Sequence, residues 1–152
     1  PTTDWRVTVV PVGPGAEGFD LSPNGRELWV ANAQAGSVSI VDVAAKQVVE
    51  TLNVPFRSAN RLKFTPDGRL ALISDLGGTD VIVMDVATRK EIKRIDVGGG
   101  AAGIQMSPDG ARAFAAVGSR NAVVVIDLQT LQASGLVASG PRPDGLAWAM
   151  GN

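Results

Sequence analysis

The chain has 152 residues, of which 45% are apolar and 19% are charged, and its 14 basic and 15 acidic side chains give a net charge of -1. This apolar fraction can form the core of one globular domain and argues against intrinsic disorder. A nearly neutral chain lacks the basic surface that nucleic acid requires, and no apolar run reaches the roughly 18 residues of a membrane span, so neither partner is predicted.

Histidine, cysteine and tyrosine are all absent from the chain. Their absence excludes disulfides, thiolate or imidazole metal sites, and the Ser-His-Asp and Cys-His arrangements of nucleophilic enzymes. Any chemistry must therefore rest on carboxylates, Lys, Arg, Ser or Thr. No cofactor is predicted.

The first predicted element is the segment WRVTVVPVG at residues 5–13, a Val-rich strand that runs into a loop. Residues 17–54 then form a unit of four short strands, which we name A to D in chain order. Val and Ile favour strands, and Gly, Pro, Asn or Asp mark the turns between them. The four strands are predicted at 18–22, 27–32, 37–43 and 47–54.

The turn between strands A and B recurs along the chain. Pro-Asn-Gly at 23–25 is followed by Pro-Asp-Gly at 66–68 and again at 108–110, at intervals of 43 and 42 residues. Pro presets φ at the first central position of a tight turn, and Gly tolerates a positive φ. The recurrence predicts three copies of one structural unit.

A second landmark keeps the same interval, because Asp42, Asp85 and Asp127 are also 43 and 42 residues apart. Each of these aspartates lies near the end of strand C and precedes a turn that begins with Val or Leu. An Asp side chain in that position can accept hydrogen bonds from backbone amides one or two residues on. We therefore interpret the three aspartates as turn-forming residues rather than as a catalytic ladder of carboxylates.

A repeat of this length is typical of a four-stranded propeller blade, although helical HEAT and armadillo repeats have a similar length. The strand pattern favours the propeller. The blades are predicted at 17–54, 60–97 and 102–138 within a single partial propeller that covers residues 1–152. The predicted fold class is thus an all-β propeller with about three four-stranded blades.

Each end of the chain is expected to add one orphan strand to these blades. Residues 5–13 correspond to an outermost strand D, and residues 144–150 correspond to an innermost strand A. A closed propeller removes its sheet edges by completing every blade. The remaining blades of a parent propeller, or other copies of the chain, are therefore expected as partners.

The segment FDLSPNGRELWVANAQAGSVSIVDVAAKQVVETLNVP resembles the YVTN β-propeller repeat, and LWVAN at 28–32 stands for the motif that names it. The corresponding strands at 71–75 (ALISD) and 113–117 (AFAAV) depart from that motif. The resemblance implies a parent with six to eight blades in the periplasm, at the cell surface or outside the cell. Such proteins include surface-layer proteins, cofactor-associated periplasmic proteins and lactonase-like enzymes. No signal peptide is visible in this sequence.

A binding site is expected where the blades differ, in the D-to-A and B-to-C loops around one mouth of the central channel. Carboxylates and arginines there suit an anionic or polyhydroxylated small molecule, and a solvated rim of mixed charge is the alternative. Strand A also differs between blades at Asp20, Lys63 and Gln105, which either line the channel or connect neighbouring blades. The ligand-binding candidates are Glu17, Asn32, Arg57, Asn60, Arg61, Asp75, Arg120, Arg142 and Asp144.

The leading functional hypothesis is a non-catalytic binding or scaffold module whose loop face binds a protein or a small ligand. One alternative is a lactonase-like hydrolase with a divalent metal on oxygen ligands, and another is a structural protein of a surface layer or envelope. The oxygen ligands of such a metal would come from Glu17, Asn32, Asp75 and Asp144.

Overall fold

The structure, a computed structural model, describes residues 7–149 and contains twelve β-strands within them. The first sheet comprises β1 (Ala16–Leu21), β2 (Glu27–Asn32), β3 (Ser37–Asp42) and β4 (Gln47–Asn53). The second comprises β5 (Ala59–Phe64), β6 (Leu70–Asp75), β7 (Asp80–Asp85) and β8 (Lys90–Asp96). The third comprises β9 (Ala101–Met106), β10 (Arg112–Val117), β11 (Ala122–Asp127) and β12 (Gln132–Ala138).

Each sheet is an antiparallel meander in chain order, which confirms the predicted all-β fold of three four-stranded blades. We call the sheets blades one, two and three. A single turn of 3-10 helix at Gly118–Arg120 forms the B-to-C loop of blade three. The sheets span 16–53, 59–96 and 101–138, and these limits differ by at most one residue from those expected from the sequence.

The two segments expected to be orphan strands form no strand in the structure. Residues 7–12 and 143–149 lie outside all three sheets, and residues 5, 6 and 150 of the predicted strands lie outside the described part of the chain. A strand forms by pairing with a neighbour, and within residues 7–149 neither segment has a neighbouring strand to pair with. Both segments thus lie unpaired within residues 7–149, beside three complete blades of a partial propeller.

The repeated aspartates form the turns between strands C and D. Asp42, Asp85 and Asp127 each accept a hydrogen bond from the backbone amide three residues on, and all three distances are 2.7 Å. This confirms their interpretation as turn-forming residues; these amides lie one residue further along than expected, while Asp127 also accepts a hydrogen bond at 2.9 Å from the amide of Gln129, two residues on.

The residue after each of these turns adopts a left-handed backbone conformation. The φ angles are 55° at Lys46, 57° at Arg89 and 53° at Leu131, so the three side chains project from equivalent places in the three blades. The same backbone conformation therefore carries a chemically different side chain in each blade. We call this place the turn position.

The blades pack face to face, and each pair encloses its own hydrophobic core. Blades one and two bury Trp29 and Ile40 against Ile73 and Ile82, while a second cluster forms in the same way between blades two and three. Side chains on alternate faces of one strand thus belong to different cores, as the two-residue period of a strand requires.

Candidate functional site

A cavity of about 570 Å³ lies at one mouth of the propeller, where blades two and three meet the segment that follows β12. Three of the predicted ligand-binding residues line it together, namely Asn60 at the start of β5 and Arg142 and Asp144 in that segment. Ser119 of the 3-10 helix adds a hydroxyl group to the wall. The structure therefore brings together side chains from three separate loops.

The B-to-C loop of blade three positions Arg142. The backbone amide of Arg142 donates a hydrogen bond to Oδ1 of Asn121 at 3.1 Å. Asn121 ends the 3-10 helix with a φ of 49°, and Arg142 itself has a φ of 54°. Two residues in left-handed conformations thus fix the direction in which the chain enters the mouth.

Asp144 lies against β9 in the same way that Asn60 lies against β1. A Cβ atom at Gly18 would meet the carbonyl oxygen of Asn60 at 2.7 Å, and one at Gly103 would clash with the carbonyl oxygen of Asp144. Both glycines therefore permit a close approach of the next stretch of backbone. Asp144 occupies the place that the first residues of an inner strand would take in a further blade.

The polar groups of the cavity differ in how well they are satisfied. Oδ1 of Asn60 is shielded from solvent and has no hydrogen-bond partner among the described residues. Buried polar atoms are usually paired, so this oxygen is an exception at the junction of the blades. The charged groups of the cavity wall are therefore those of Arg142 and Asp144, which suit polar and charged ligands.

Arg57 and Asp75 line a second cavity of about 370 Å³ between the D-to-A loop after blade one and the B-to-C loop of blade two. Asp75 is only 3% exposed, and its carboxylate accepts hydrogen bonds from the backbone amides of Arg57 at 2.9 Å, Ser58 at 2.8 Å and Gly77 at 3.1 Å. The carboxylate is therefore already hydrogen-bonded to backbone amides of both loops and connects them.

Glu17 and Arg61 form an ion pair of 3.5 Å on the surface between blades one and two. Both side chains are about half exposed, at 52% and 43%, and such pairs contribute little to stability. Near them, Asp20 accepts hydrogen bonds from the Lys63 ammonium at 3.2 Å and from the Phe64 amide at 3.0 Å. These contacts connect neighbouring blades, which is one of the two roles expected for Asp20.

Asn32 and Arg120 make contacts within the protein. The Asn32 side chain is fully buried, and its amide nitrogen donates hydrogen bonds to the hydroxyls of Ser37 at 3.0 Å and Ser39 at 2.9 Å. Arg120 donates to the carbonyl oxygen of Val97 at 3.1 Å. Both side chains hold loops or strands in place.

The four residues suggested as oxygen ligands for a metal are not brought together. Asp144 lines the mouth cavity and Asp75 the second cavity, while Glu17 pairs with Arg61 and Asn32 is enclosed in blade one. Within residues 7–149, no group of three or more His, Cys, Asp or Glu side chains is placed to hold a metal ion.

One cluster of charged residues was not predicted from the sequence. Arg89 at the turn position of blade two binds Glu27 at 2.7 Å and also contacts Glu50, and both carboxylates belong to blade one. The hydrogen bond to Glu50 is the main cause that raises the pKa of Arg89 above its usual value. The sequence did contain an indication of this cluster, because one position of the repeat carries chemically different residues in the three blades, namely Lys46, Arg89 and Leu131.

Comparisons with known proteins agree with this architecture. A family model described as "YNCE-like beta-propeller" matches residues 2–112, which is more than half of the chain. Antigen Lp49 of Leptospira interrogans serogroup Icterohaemorrhagiae serovar copenhageni (strain Fiocruz L1-130) is 29% identical over 94 residues, covering 62% of this chain and 21% of that protein. Within residues 7–149, no helix has the length and apolar character to cross a membrane.

Two solved structures share the arrangement of blades. Hydrazine synthase of Kuenenia stuttgartiensis superposes with a TM-score of 0.82 at 30% identity, over 91% of this chain and 40% of that one. The WD40 repeats of RRP9 superpose with a TM-score of 0.77 at 8% identity, over 85% of this chain and 40% of that one, which shows a shared fold alone. The chain thus spans less than half the length of each of these proteins.

Proposed function

The chain belongs to the YNCE-like β-propeller family, and we propose that it is a non-catalytic binding module whose mouth cavity takes a small anionic molecule. The observation behind this proposal is the convergence of Asn60, Arg142 and Asp144 on one cavity at the junction of two blades and a third segment. Cavities of a few hundred Å³ with a few convergent polar groups are the usual form of small-molecule sites.

The chemistry of the wall defines the class of ligand. The Arg142 guanidinium suits a carboxylate or a phosphate, with which it can form two parallel hydrogen bonds. The Asp144 carboxylate accepts hydrogen bonds, so it suits hydroxyl or amine donors. A hydroxy acid, an amino acid or a sugar phosphate combines these groups.

Binding assays with D-gluconate, L-glutamate and inorganic phosphate would test this function. We expect at least one of them to raise the melting temperature, because a ligand that binds only the native state stabilises it. Replacing Arg142→Gln removes a charge-assisted hydrogen bond and should weaken that binding by about 10-fold or more, as measured by calorimetry.

The matched control is Arg26→Gln, which removes an exposed arginine from the A-to-B turn of blade one. This turn lies at the other end of the blade from the mouth, so the control should bind like the unaltered chain. Equal affinity of the Arg142→Gln variant and the control would refute the proposed site.

The type of repeat and the location of the protein are two further parts of the proposal, and each is supported by its own observation. The YVTN-type repeat is supported by the threefold recurrence of its turns, with blades that superpose on an established propeller. A periplasmic, cell-surface or extracellular location is supported by the similarity to a protein named as an antigen. No second function is proposed, because the four oxygen ligands that the hydrolase requires lie in separate places.

A further inference from the structure

The wall of the mouth cavity carries one positive and one negative side chain that do not pair with each other. Arg142 and Asp144 both line the cavity, and Pro143 lies between them. Arg142 binds Asn121 through its backbone amide, and among the described residues no ion pair or side-chain hydrogen bond involves the guanidinium or the Asp144 carboxylate. Both charges are therefore available to a bound molecule.

The backbone that carries these charges is restricted on both sides of Arg142. Pro141 and Pro143 flank this residue, and a proline ring fixes its own φ angle. The left-handed conformation of Arg142, with a φ of 54°, is anchored by the hydrogen bond to Asn121. A segment that is already ordered loses little conformational freedom when a ligand binds.

The loop at residues 98–100 leaves space for a ligand beside these charges. It consists of three glycines, whereas the corresponding loop before blade two, residues 55–58, has the sequence PFRS. Gly100 lines the cavity, and a Cβ atom there would clash with the carbonyl oxygen of Leu76. The absence of side chains in this loop therefore lets the B-to-C loop of blade two approach the cavity.

The remainder of the wall includes an apolar surface. Leu76, Ala102 and Pro143 line it, and the Leu76 side chain is 47% exposed. Contact with an apolar part of a ligand would remove this surface from water, which is favourable. The cavity thus presents a cation, an anion and an apolar surface together.

The ligand classes that suit Arg142 differ in how they match Asp144. A sugar phosphate would bring additional negative charge close to this carboxylate, and a hydroxy acid would offer it only a neutral hydroxyl group. An α-amino acid offers a carboxylate to Arg142 and an ammonium group to Asp144. Both contacts are then hydrogen bonds between opposite charges, which are stronger than those between neutral groups.

We infer that the mouth cavity binds a free α-amino acid with an apolar side chain. Arg142 binds the carboxylate of this ligand, Asp144 binds its ammonium group, and Leu76 contacts its side chain. The inference rests on the proposed function, because it names the ligand of the same cavity. Asp144 is then the residue that determines specificity, whereas Arg142 binds the acidic group that all the candidate ligands share.

Two ligands that differ only in the group bound by Asp144 would test the inference. They are L-leucine and its hydroxy-acid analogue, in which a hydroxyl group replaces the ammonium group. By calorimetry, L-leucine should bind about 10-fold more tightly or better, because its contact with Asp144 is charge-assisted. Asp144→Asn should remove most of this preference, and the affinity for the hydroxy acid should change by no more than about 2-fold.

Two further variants serve as controls for this experiment. Arg142→Gln should weaken both ligands to the same extent, because both carry the carboxylate. Asp80→Asn removes a carboxylate from the second cavity and should leave both affinities unchanged. The melting temperature of each variant without ligand verifies that it is folded.

The possible results separate the inference from the proposed function. Equal affinities of the unaltered chain for the two ligands, or an equal loss of both in Asp144→Asn, would overturn the inference. If D-gluconate or inorganic phosphate then bound and Arg142→Gln weakened that binding, the cavity would still be a site for small anions. If none of these molecules bound, both the inference and the proposed function would be wrong.

Discussion

The two complete interfaces between blades have the same geometry but different chemistry. Between blades one and two, the outer edge is closed by Arg89 with Glu27 and Glu50, and Trp29 packs on Phe64 further in. Glu27 also accepts a hydrogen bond from the indole of Trp29 at 2.9 Å, so the ionic and aromatic contacts form one network.

Between blades two and three, leucines replace the ions. Leu70 stands in the position of Glu27 and Leu131 in that of Arg89, and both pack against the core that these blades share. One backbone geometry therefore accepts either a charge pair or an apolar pair. Each of the two interfaces therefore has its own chemistry at the outer edge.

The largest expected effect comes from the aromatic core of the first interface. Trp29 is fully buried, so Trp29→Ala should lower the free energy of unfolding by about 3 to 5 kcal/mol, as measured by urea denaturation. The matched control is Phe114→Ala, since Phe114 holds the same position on the half-open face of blade three. Similar losses for both variants would contradict the view that the first interface is closed and the last is open.

A smaller effect is expected from the ionic pair. Arg89→Leu leaves Glu27 without its cation and should cost about 1 kcal/mol in urea denaturation at low salt. The combined Glu27→Leu and Arg89→Leu variant reproduces the leucines of the other interface and should recover most of that loss, because a packed apolar pair can replace an ion pair.

Salt provides the control for this prediction. The ionic contacts are only partly buried, with exposures of 31% for Arg89 and 26% for Glu27, so the cost of Arg89→Leu should shrink in about 1 M salt. A double variant that remains as unstable as the single one would mean that the interface depends on the ions themselves.

Much of the fold could be predicted because the same turn-forming residues recur in all three blades. Gly at a positive φ in each A-to-B turn and Asp before each C-to-D turn mark the strand ends directly. The pattern also indicated two segments without strand partners, and the structure leaves both unpaired. Residues 7–12 and 143–149 have strand-like composition, but strand pairing needs a neighbour, and the described residues provide none for either segment.

The site was predictable only in part, for a related reason. Loop position indicated that Asn60, Arg142 and Asp144 face the mouth, and the structure gathers them there. Loop position could not show that Asp75 is occupied by three backbone amides or that Asn32 is enclosed. Whether a polar side chain is already hydrogen-bonded depends on contacts between loops that lie far apart in the sequence. The spacing of residues within one repeat does not reveal such contacts.

The smallest expected effect concerns the turns that present the two different edge residues. Asp85 precedes Arg89, and the hydroxyl and the backbone amide of Thr88 lower the pKa of its carboxyl. Asp127 precedes Leu131, and the backbone amide and the hydroxyl of Thr130 lower its pKa in the same way. Each charged carboxylate therefore stabilises the native state at pH values above its unfolded pKa of about 4.

Asp85→Asn and Asp127→Asn should each lower the melting temperature near neutral pH by about 1 to 3 °C. Because the native pKa lies below the unfolded one, the difference from the unaltered chain should be constant above about pH 4 and decrease as the pH falls below it. Thermal melts between about pH 2 and 7 would measure this decrease, and a difference that grows in acid would contradict it.

The two turns should then differ in one further respect. Loosening the turn of blade two also displaces Arg89 from Glu27, whereas loosening the turn of blade three displaces only an apolar contact. Asp85→Asn should therefore cost more than Asp127→Asn at low salt, and the excess should vanish in the Arg89→Leu background. An excess that persisted there would show that the turn stabilises its blade independently of the edge residue that it presents.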